Sequence, residues 1–291
     1  MLFNLSPTAL QFQRELFELH TVDRVLNLAD YQRFLFEGAE HPALVVEYRR
    51  HPPGSPRHVV EYWTPKTDWT VVRAEIIALA SEDRSTFAVG EILEDLRGPD
   101  APQIWKRRMW ATPRDWRLIE RLSDYPRLRE HVRQARDQVT SKPWIMAVGF
   151  QPVGKNDDPA KAMGLLLPSK SFIKARSPAF DLFLLWSECD ELPVAGTMVR
   201  SGSNKNTEVF SAPHVLVTKG FSRIAFADFP ISFQDAVRGI HGPSEDRDLL
   251  IFLAAYLRSR LARYFLFHTS SNWGVSRQVV HVEEMLRLPF P

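Results

Sequence analysis

Three polar stretches in the C-terminal half carry the side chains with the richest hydrogen-bonding chemistry. Val199-Arg-Ser-Gly-Ser-Asn-Lys-Asn-Thr207 gathers Arg200, Ser203, Asn204, Lys205 and Asn206 in one short run. Lys219-Gly-Phe-Ser-Arg223 places Lys219 and Arg223 between two strand-like pieces, and Ser270-Ser-Asn-Trp-Gly-Val-Ser-Arg277 sets Ser271, Asn272, Trp273 and Arg277 around a glycine. Arg and Lys match the O6/N7 edge of guanine and Asn matches the N6/N7 edge of adenine, so this set suits reading bases in a DNA groove. Each stretch alone also reads as an ordinary surface loop, because connecting segments keep their backbone polar groups in water. A fourth stretch, Ile104-WKRRMWATPRDWRLIERL, interleaves Lys106, Arg107, Arg108, Arg114 and Arg117 with Trp105, Trp110, Trp116 and Leu118. The aromatic and leucine side chains are expected to be buried and the cations to point outward onto phosphates, with a salt-dependent affinity. The alternative is a surface helix whose arginine stems cover the tryptophans.

Other chemistries find less support. No Gly-x-Gly-x-x-Gly, no phosphate-cradling Gly-Lys-Ser/Thr loop and no His-Glu-x-x-His occurs. The lone Cys189 excludes a disulfide framework and a cysteine-based zinc site. His214, His241, His268 and His281 lack i,i+2 or i,i+4 ligand spacing, so no metal site is assigned. Glu47 and Glu61, with Lys66, leave a metal-dependent nuclease as an alternative, although alternating charges on a half-exposed hairpin explain both glutamates. Catalysis by this chain alone is not expected.

The elements that must position these residues can be read coarsely. Ser6 caps a proline-started helix with apolar residues at Leu10, Phe12, Leu16, Phe17 and Leu19, expected to make residues 2–36 helical. Ala43-LVVEYRR and His58-VVEYW read as two strands of a hairpin around Pro52-Pro-Gly-Ser-Pro56. Residues 71–79 are strand or short helix, and residues 87–96 are helical. Thr112-Pro-Arg-Asp115 starts a helix, and Pro126-RLREHVRQARDQV reads as a second one. Beyond Pro143 come a strand at residues 144–150, a polar loop and a pair of short strands in residues 215–228. A long amphipathic helix follows Ser244-EDRD, and the chain closes on a strand-like piece and Pro-Phe-Pro. A boundary near residue 140 divides residues 1–140 from 141–291. Basic residues are segregated: twelve Lys/Arg face six Asp/Glu between Arg97 and Lys142, and ten face six between Arg200 and His281, although the formal net charge is only +2. No run of about 18 apolar residues exists and no secretory leader is apparent, so a cytoplasmic chain without a membrane span is expected.

The order of these pieces resembles one family. The ending, a helix, a small-residue polar loop and Leu286-Arg-Leu-Pro-Phe-Pro291, is similar to the target-recognition region of adenine-specific N-6 DNA methylases of restriction-modification systems. Type I specificity subunits close in a similar way. Val22, Val25, Asn27, Leu28, Leu35, Phe36, Pro42, Ala43, Val45 and Val46 match the stretch that follows the catalytic Asn-Pro-Pro-Tyr of such methylases, at core positions. The catalytic motif and the glycine-rich turn for S-adenosylmethionine are missing. The resemblance therefore implies a mixed α/β chain: a partial methyltransferase-like sheet segment with a helical connector, then an α+β DNA target-recognition domain. It implies double-stranded DNA as partner, with no cofactor held by this chain. S-adenosylmethionine and the chemistry would sit on a methyltransferase partner chain or on a missing upstream segment. A protein-interaction or inhibitory module of a phage-defence system is the remaining alternative.

Overall fold

The computed structural model describes residues 2–3, 6–36, 41–98, 101–135, 141–192, 196–271, 273–275 and 278–290. The chain is mixed α/β and divides into two compact units, Met1–Glu120 with Phe267–Gln278, and Arg121–Leu266 with Val279–Pro291. Against a cut near residue 140, residues 121–135 and 267–278 change sides.

The first unit holds α1 (Pro7–Leu19), β1 (Thr21–Asn27), β2 (Leu44–Arg49), β3 (Val59–Trp63), α2 (Trp69–Ala74), β4 (Arg84–Ala88), α3 (Val89–Arg97) and α4 (Ile104–Trp110), and most of α5 (Pro113–Ser123). The Ser6 side chain accepts from the Ala9 amide at 3.2 Å, as expected of a cap. The helix stops at Leu19, however, and does not run to residue 36. Thr21, Val22 and Val25 are β-branched, and Val22 and Val25 bury one face of a strand. That strand, β1, also overturns the expected hairpin: the order is β2-β1-β3-β4, with β1 antiparallel to β2 and parallel to β3. The buried face of the sheet carries Val22, Val25, Val60, Tyr62 and Phe87 and packs on Phe17, Ile92, Leu96 and Trp105. Ring centroids in the Phe17, Tyr62, Phe87 and Trp105 cluster lie 5.4 to 6.2 Å apart. The polar ends inside this core are paired, with Trp105 Nε1 donating to Gln13 Oε1 at 2.7 Å and Asn27 Nδ2 to the Tyr62 hydroxyl at 2.7 Å. Of the matched core positions, Phe36 and Val45 prove exposed. Val45 falls on the outer face of an edge strand, so alternation sends it to solvent.

The second unit contains α6 (Leu128–His131), β5 (Val132–Gln134), β6 (Trp144–Val148), β7 (Met163–Leu166), β8 (Ser171–Ile173), β9 (Asp190–Glu191), β10 (Gly196–Val199), β11 (His214–Thr218), β12 (Ile224–Ala227), β13 (Ser232–Phe233) and β14 (Val237–His241). The helices α7 (Arg247–Arg258), α8 (Arg260–Thr269, in part) and α9 (Val282–Met285) follow. The helix expected from Pro126 is cut to one turn, because Val132-Arg-Gln pairs with β6 in parallel instead of continuing. The long final helix breaks at Ser259, whose extended backbone ends α7 and whose hydroxyl accepts from Ala262 to start α8. The strand-like ending is instead the short helix α9, and Arg127 bridges Pro289. The central sheet has the order β12-β11-β14-β6-β5. One face rests on Phe150, Phe172, Phe210 and Phe233, and α7 lies against β11 and β12 with Leu250, Leu253 and Leu257 buried. A Cβ at Gly149 would stand 2.2 Å from the Phe233 carbonyl oxygen, so only glycine lets the chain leave β6 in this direction. Among the described residues no helix is long and apolar enough to cross a membrane.

Candidate nucleic-acid interface

Leaving β6 past Gly149, the chain reaches Gln151 on the wall of a cleft of about 620 Å³ in the second unit. Gln134, Ala135, residues 146–148, residues 202–206 and Val282 complete the lining. The first polar stretch of the sequence is therefore the cleft's rim, and its shape is fixed by its own polar atoms. The Ser203 amide donates to the Arg200 carbonyl at 3.1 Å across a tight turn, and Gly202 takes the left-handed φ of +82° that such a turn requires. Ser203 is buried, and its hydroxyl accepts from the Gln151 amide at 2.9 Å. Asn204 Nδ2 donates to the carbonyls of Val148 and Asn206, and its Oδ1 accepts from the Asn206 amide. Ser203 and Asn204 thus hold the loop, whereas Arg200 and Lys205 are exposed at it. Among the described residues, the Lys205 ammonium has no partner.

The fold joins this loop to the second polar stretch. Arg200 Nε donates to Gln151 Oε1 at 2.6 Å, Gln151 Nε2 donates to Asp235 Oδ2 at 3.0 Å, and Lys219 Nζ donates to the same oxygen at 2.9 Å. Partial burial pushes the Asp235 carboxyl up, but the hydrogen bonds from Gln151 and Lys219 and the charges of Lys219 and Arg200 outweigh it and hold it below the usual carboxylate range. Gln151 and Asp235 carry no sequence signal: they lie 49 and 35 positions from Arg200, and the three meet through the isolated bridges Pro152–Val199 and Phe150–Gln234, which lie outside the sheets. Arg223, in the hairpin turn between β11 and β12, donates through Nη1 to the Ser177 carbonyl at 2.5 Å and is half-buried.

The third stretch belongs to the first unit. Ser271 is fully buried and Trp273 half-buried, while Asn272 and Arg277 lie outside the described residues. The expected outward cations behave differently from one another. Lys106 is fully buried and donates to Ser270 Oγ at 3.0 Å and to the Trp273 carbonyl, with the Phe267 ring 4.5 Å away. It occupies an inner position of α4, next to Trp105 and three before Met109, so its ammonium meets a carbonyl inside the unit and not solvent. Arg108 is turned in as well, bonded to Glu91 at 2.6 Å and Asp95 at 3.2 Å. Arg107 stacks 4.0 Å over the half-buried Trp116 ring, so here the arginine covers the tryptophan. Trp105 is buried as expected, but Leu118 is exposed. Arg114 and Arg117 are the two of the five that are exposed, both on α5, where Asp115 Oδ2 accepts from the Thr112 amide at 2.7 Å and Arg117 Nε donates to the Pro113 carbonyl at 3.2 Å.

Glu47 and Glu61 both bind Arg24, at 3.1 and 2.8 Å, so one guanidinium partners both carboxylates of the nuclease alternative. Among the described residues no group of three or more His, Cys, Asp or Glu stands where it could hold a metal ion.

No protein-family model matches this chain, and no curated protein does. Solved structures do. The type IIG restriction endonuclease BpuSI is 12% identical with a TM-score of 0.38, over 100% of this chain and 39% of that one. A chain from a structural study of complex assembly and conformational transition in the type I restriction-modification system is 12% identical with a TM-score of 0.26, over 94% and 79%. The HsdS subunit from Thermoanaerobacter tengcongensis is 11% identical with a TM-score of 0.24, over 94% and 78%. The chain thus spans about two fifths of the length of the endonuclease it resembles.

Proposed function

We propose that the second unit is a sequence-specific double-stranded DNA recognition module of a restriction-modification system, guiding adenine methylation. One observation carries the reading: residues 200–206 form a loop whose side chains fasten it to Val148 and Gln151 at a solvent-open cleft, with Arg200 and Lys205 presenting donors outward. A rigid loop that displays cations and amides suits base edges and phosphates, because little ordering entropy is lost when DNA binds. The resemblance of the chain's ending to methylase recognition regions supports the same reading.

On this reading β1 matches a strand that follows the catalytic motif of the methylases. The turn after it, with Leu28, Ala29 and Tyr31 buried, is therefore not the glycine-rich turn that approaches S-adenosylmethionine, and the sequence offers no such turn elsewhere. Methyl transfer would then be supplied by a partner chain or by a segment outside this sequence.

The test is a titration of duplex DNA with the chain at several salt concentrations. The expected result is binding that weakens linearly in log-log form with salt and is tightest on one sequence class. Absence of binding to any duplex at low salt would overturn the reading. A protein-docking role draws on a separate observation, the exposed Leu166, Leu185 and Trp186 of the second unit. Subunit capture that survives loss of Arg200 and Lys205 but not of these three side chains would assign them to assembly.

A further inference from the structure

We infer that Arg200 is a preset two-pronged donor for a guanine edge, and that Gln151 and Asp235 are the positioning residues that set it. The inference rests on the reading that the second unit binds DNA, and it names the base and the residues behind the reader.

The geometry fixes Arg200 from its main chain outward. Its amide donates to the Gln151 carbonyl at 3.1 Å, and next to this pair Val199 bridges Pro152. The same two residues are then joined by side chains, Nε to Oε1 at 2.6 Å. Gln151 cannot turn its amide around, since its Nε2 donates to Asp235 at 3.0 Å and its oxygen must therefore face the arginine. Asp235 is held in turn by the Lys219 ammonium at 2.9 Å and through its own amide, which donates to the Phe150 carbonyl at 2.9 Å.

With Nε engaged, the guanidinium keeps its terminal Nη1 and Nη2 groups, which have no partner among the described residues. These two nitrogens form an end-on fork in one plane, and a fork matches two acceptors side by side. Guanine O6 and N7 offer such a pair in the major groove, and a phosphate offers one as well. The relay favours guanine. A phosphate contact needs charge and tolerates a mobile ammonium such as that of Lys205, whereas base readout requires the plane of the fork to be fixed. A carboxylate behind the reader also weakens the field that a phosphate contact would use, without touching the geometry of the fork.

The experiment selects bound duplexes from a randomised pool, using the full chain and the variants R200K, D235N and K205A, followed by titrations at several salt concentrations. Wild type is expected to enrich a guanine at one position. R200K keeps the charge and loses the fork, so discrimination at that position should fall roughly 10- to 100-fold with the salt slope unchanged. D235N should relax the same position by a smaller factor, and K205A should weaken all sequences alike. A uniform loss in R200K would make Arg200 a phosphate contact and overturn the assignment. Full discrimination in D235N beside its loss in R200K would overturn the positioning role alone. If no duplex binds wild type even at low salt, the DNA reading itself fails, which separates that outcome from the other two. Arg200 is exposed, and matched melting curves for R200K and wild type would exclude a folding defect.

Discussion

Helix α4 holds three consecutive cations, Lys106, Arg107 and Arg108, and the 200–206 loop holds two, Arg200 and Lys205. By charge density the helix is the better candidate for a polyanion, but the structure reverses that order. In α4, Lys106 meets a carbonyl and a hydroxyl, Arg107 lies on Trp116, and Arg108 bridges two carboxylates. In the loop, serine and asparagine bind the backbone and thereby leave the cations outward. A count of basic residues therefore says little about anion binding until the acceptor of each donor is known. Burial decides it: a cation taken from water must find partners inside, and one left in water keeps its donors for a ligand.

The comparison breaks first if the loop does not depend on its scaffold. Gly149→Ala would drive a methyl group into the Phe233 carbonyl and the Gln234 backbone. The expected cost is at least about 3 kcal/mol, the upper end for overpacking, seen as a lower urea midpoint. Duplex binding should fall with it, because Gly149 sets the path to Gln151. A variant of unchanged stability that still binds DNA would mean that the loop arranges itself.

A second prediction concerns the segment just after the loop. His214 is fully buried, its Nδ1 lies 3.0 Å from the Val209 carbonyl, and His241 faces it across the β11–β14 pair. Burial, aided by the His241 charge and opposed by the Val209 hydrogen bond, pushes the His214 pKa down to about 4 from its ordinary 6.5. The folded state then favours the neutral ring, so the stability from this group is complete above pH 6.5 and is lost as pH falls from 6.5 towards 4. The loss should reach up to about 3 kcal/mol, measured as urea midpoints at pH 7 and pH 4.5. H214Q should flatten that dependence, and an equally steep profile in H214Q would assign it to other groups.

Within α4, Lys106→Met tests the opposite half of the comparison. The substitution keeps the length and removes the donor, leaving the Ser270 hydroxyl and Trp273 carbonyl short of a partner in a buried site. A loss of about 2 kcal/mol is expected, the unsatisfied groups being partly offset by relief of a buried charge. The salt slope of DNA binding should not move. A slope reduced by one with stability unchanged would return Lys106 to the phosphate-contacting set.

The sequence made some of this legible and hid the rest for definable reasons. Local signals transferred well: the Ser6 cap, the Thr112–Asp115 start of α5, the β11–β12 pair and the core strand β6. Non-local pairing did not. A leucine pattern continuing past His20 imitates a helix, while β1 is set by partners that lie on β2 and β3 and by a core of Phe17 and Tyr62. Residues 132–134 become a strand because β6 offers them an edge, which the sequence near Pro126 does not reveal. At the site, the loop's composition was readable but its division of labour was not. Nothing in Ser-Gly-Ser-Asn-Lys-Asn distinguishes Asn204, which binds three backbone groups, from Lys205, which binds none among the described residues. Gln151 and Asp235 were invisible, because a polar residue beside a core strand is common and their meeting depends on the isolated bridge of Phe150 with Gln234, outside every sheet.

The smallest expected effects sharpen the comparison most, because they separate exposed cations from satisfied ones within a single assay. Arg114 is a junction cation that reaches solvent, and Lys205 is its counterpart in the loop. If both touch phosphates, each alanine variant should weaken duplex binding severalfold at about 0.1 M salt and lower the salt slope by roughly one counterion, alike on all sequences. Arg108→Ala should leave the slope alone, since its charge is already matched by Glu91 and Asp95, and should appear only as a lower midpoint. A slope change at Lys205 without one at Arg114 would confine the DNA footprint to the second unit. The reverse pattern would move it to the first, and the 200–206 loop would then be a rigid surface loop whose cations serve solubility.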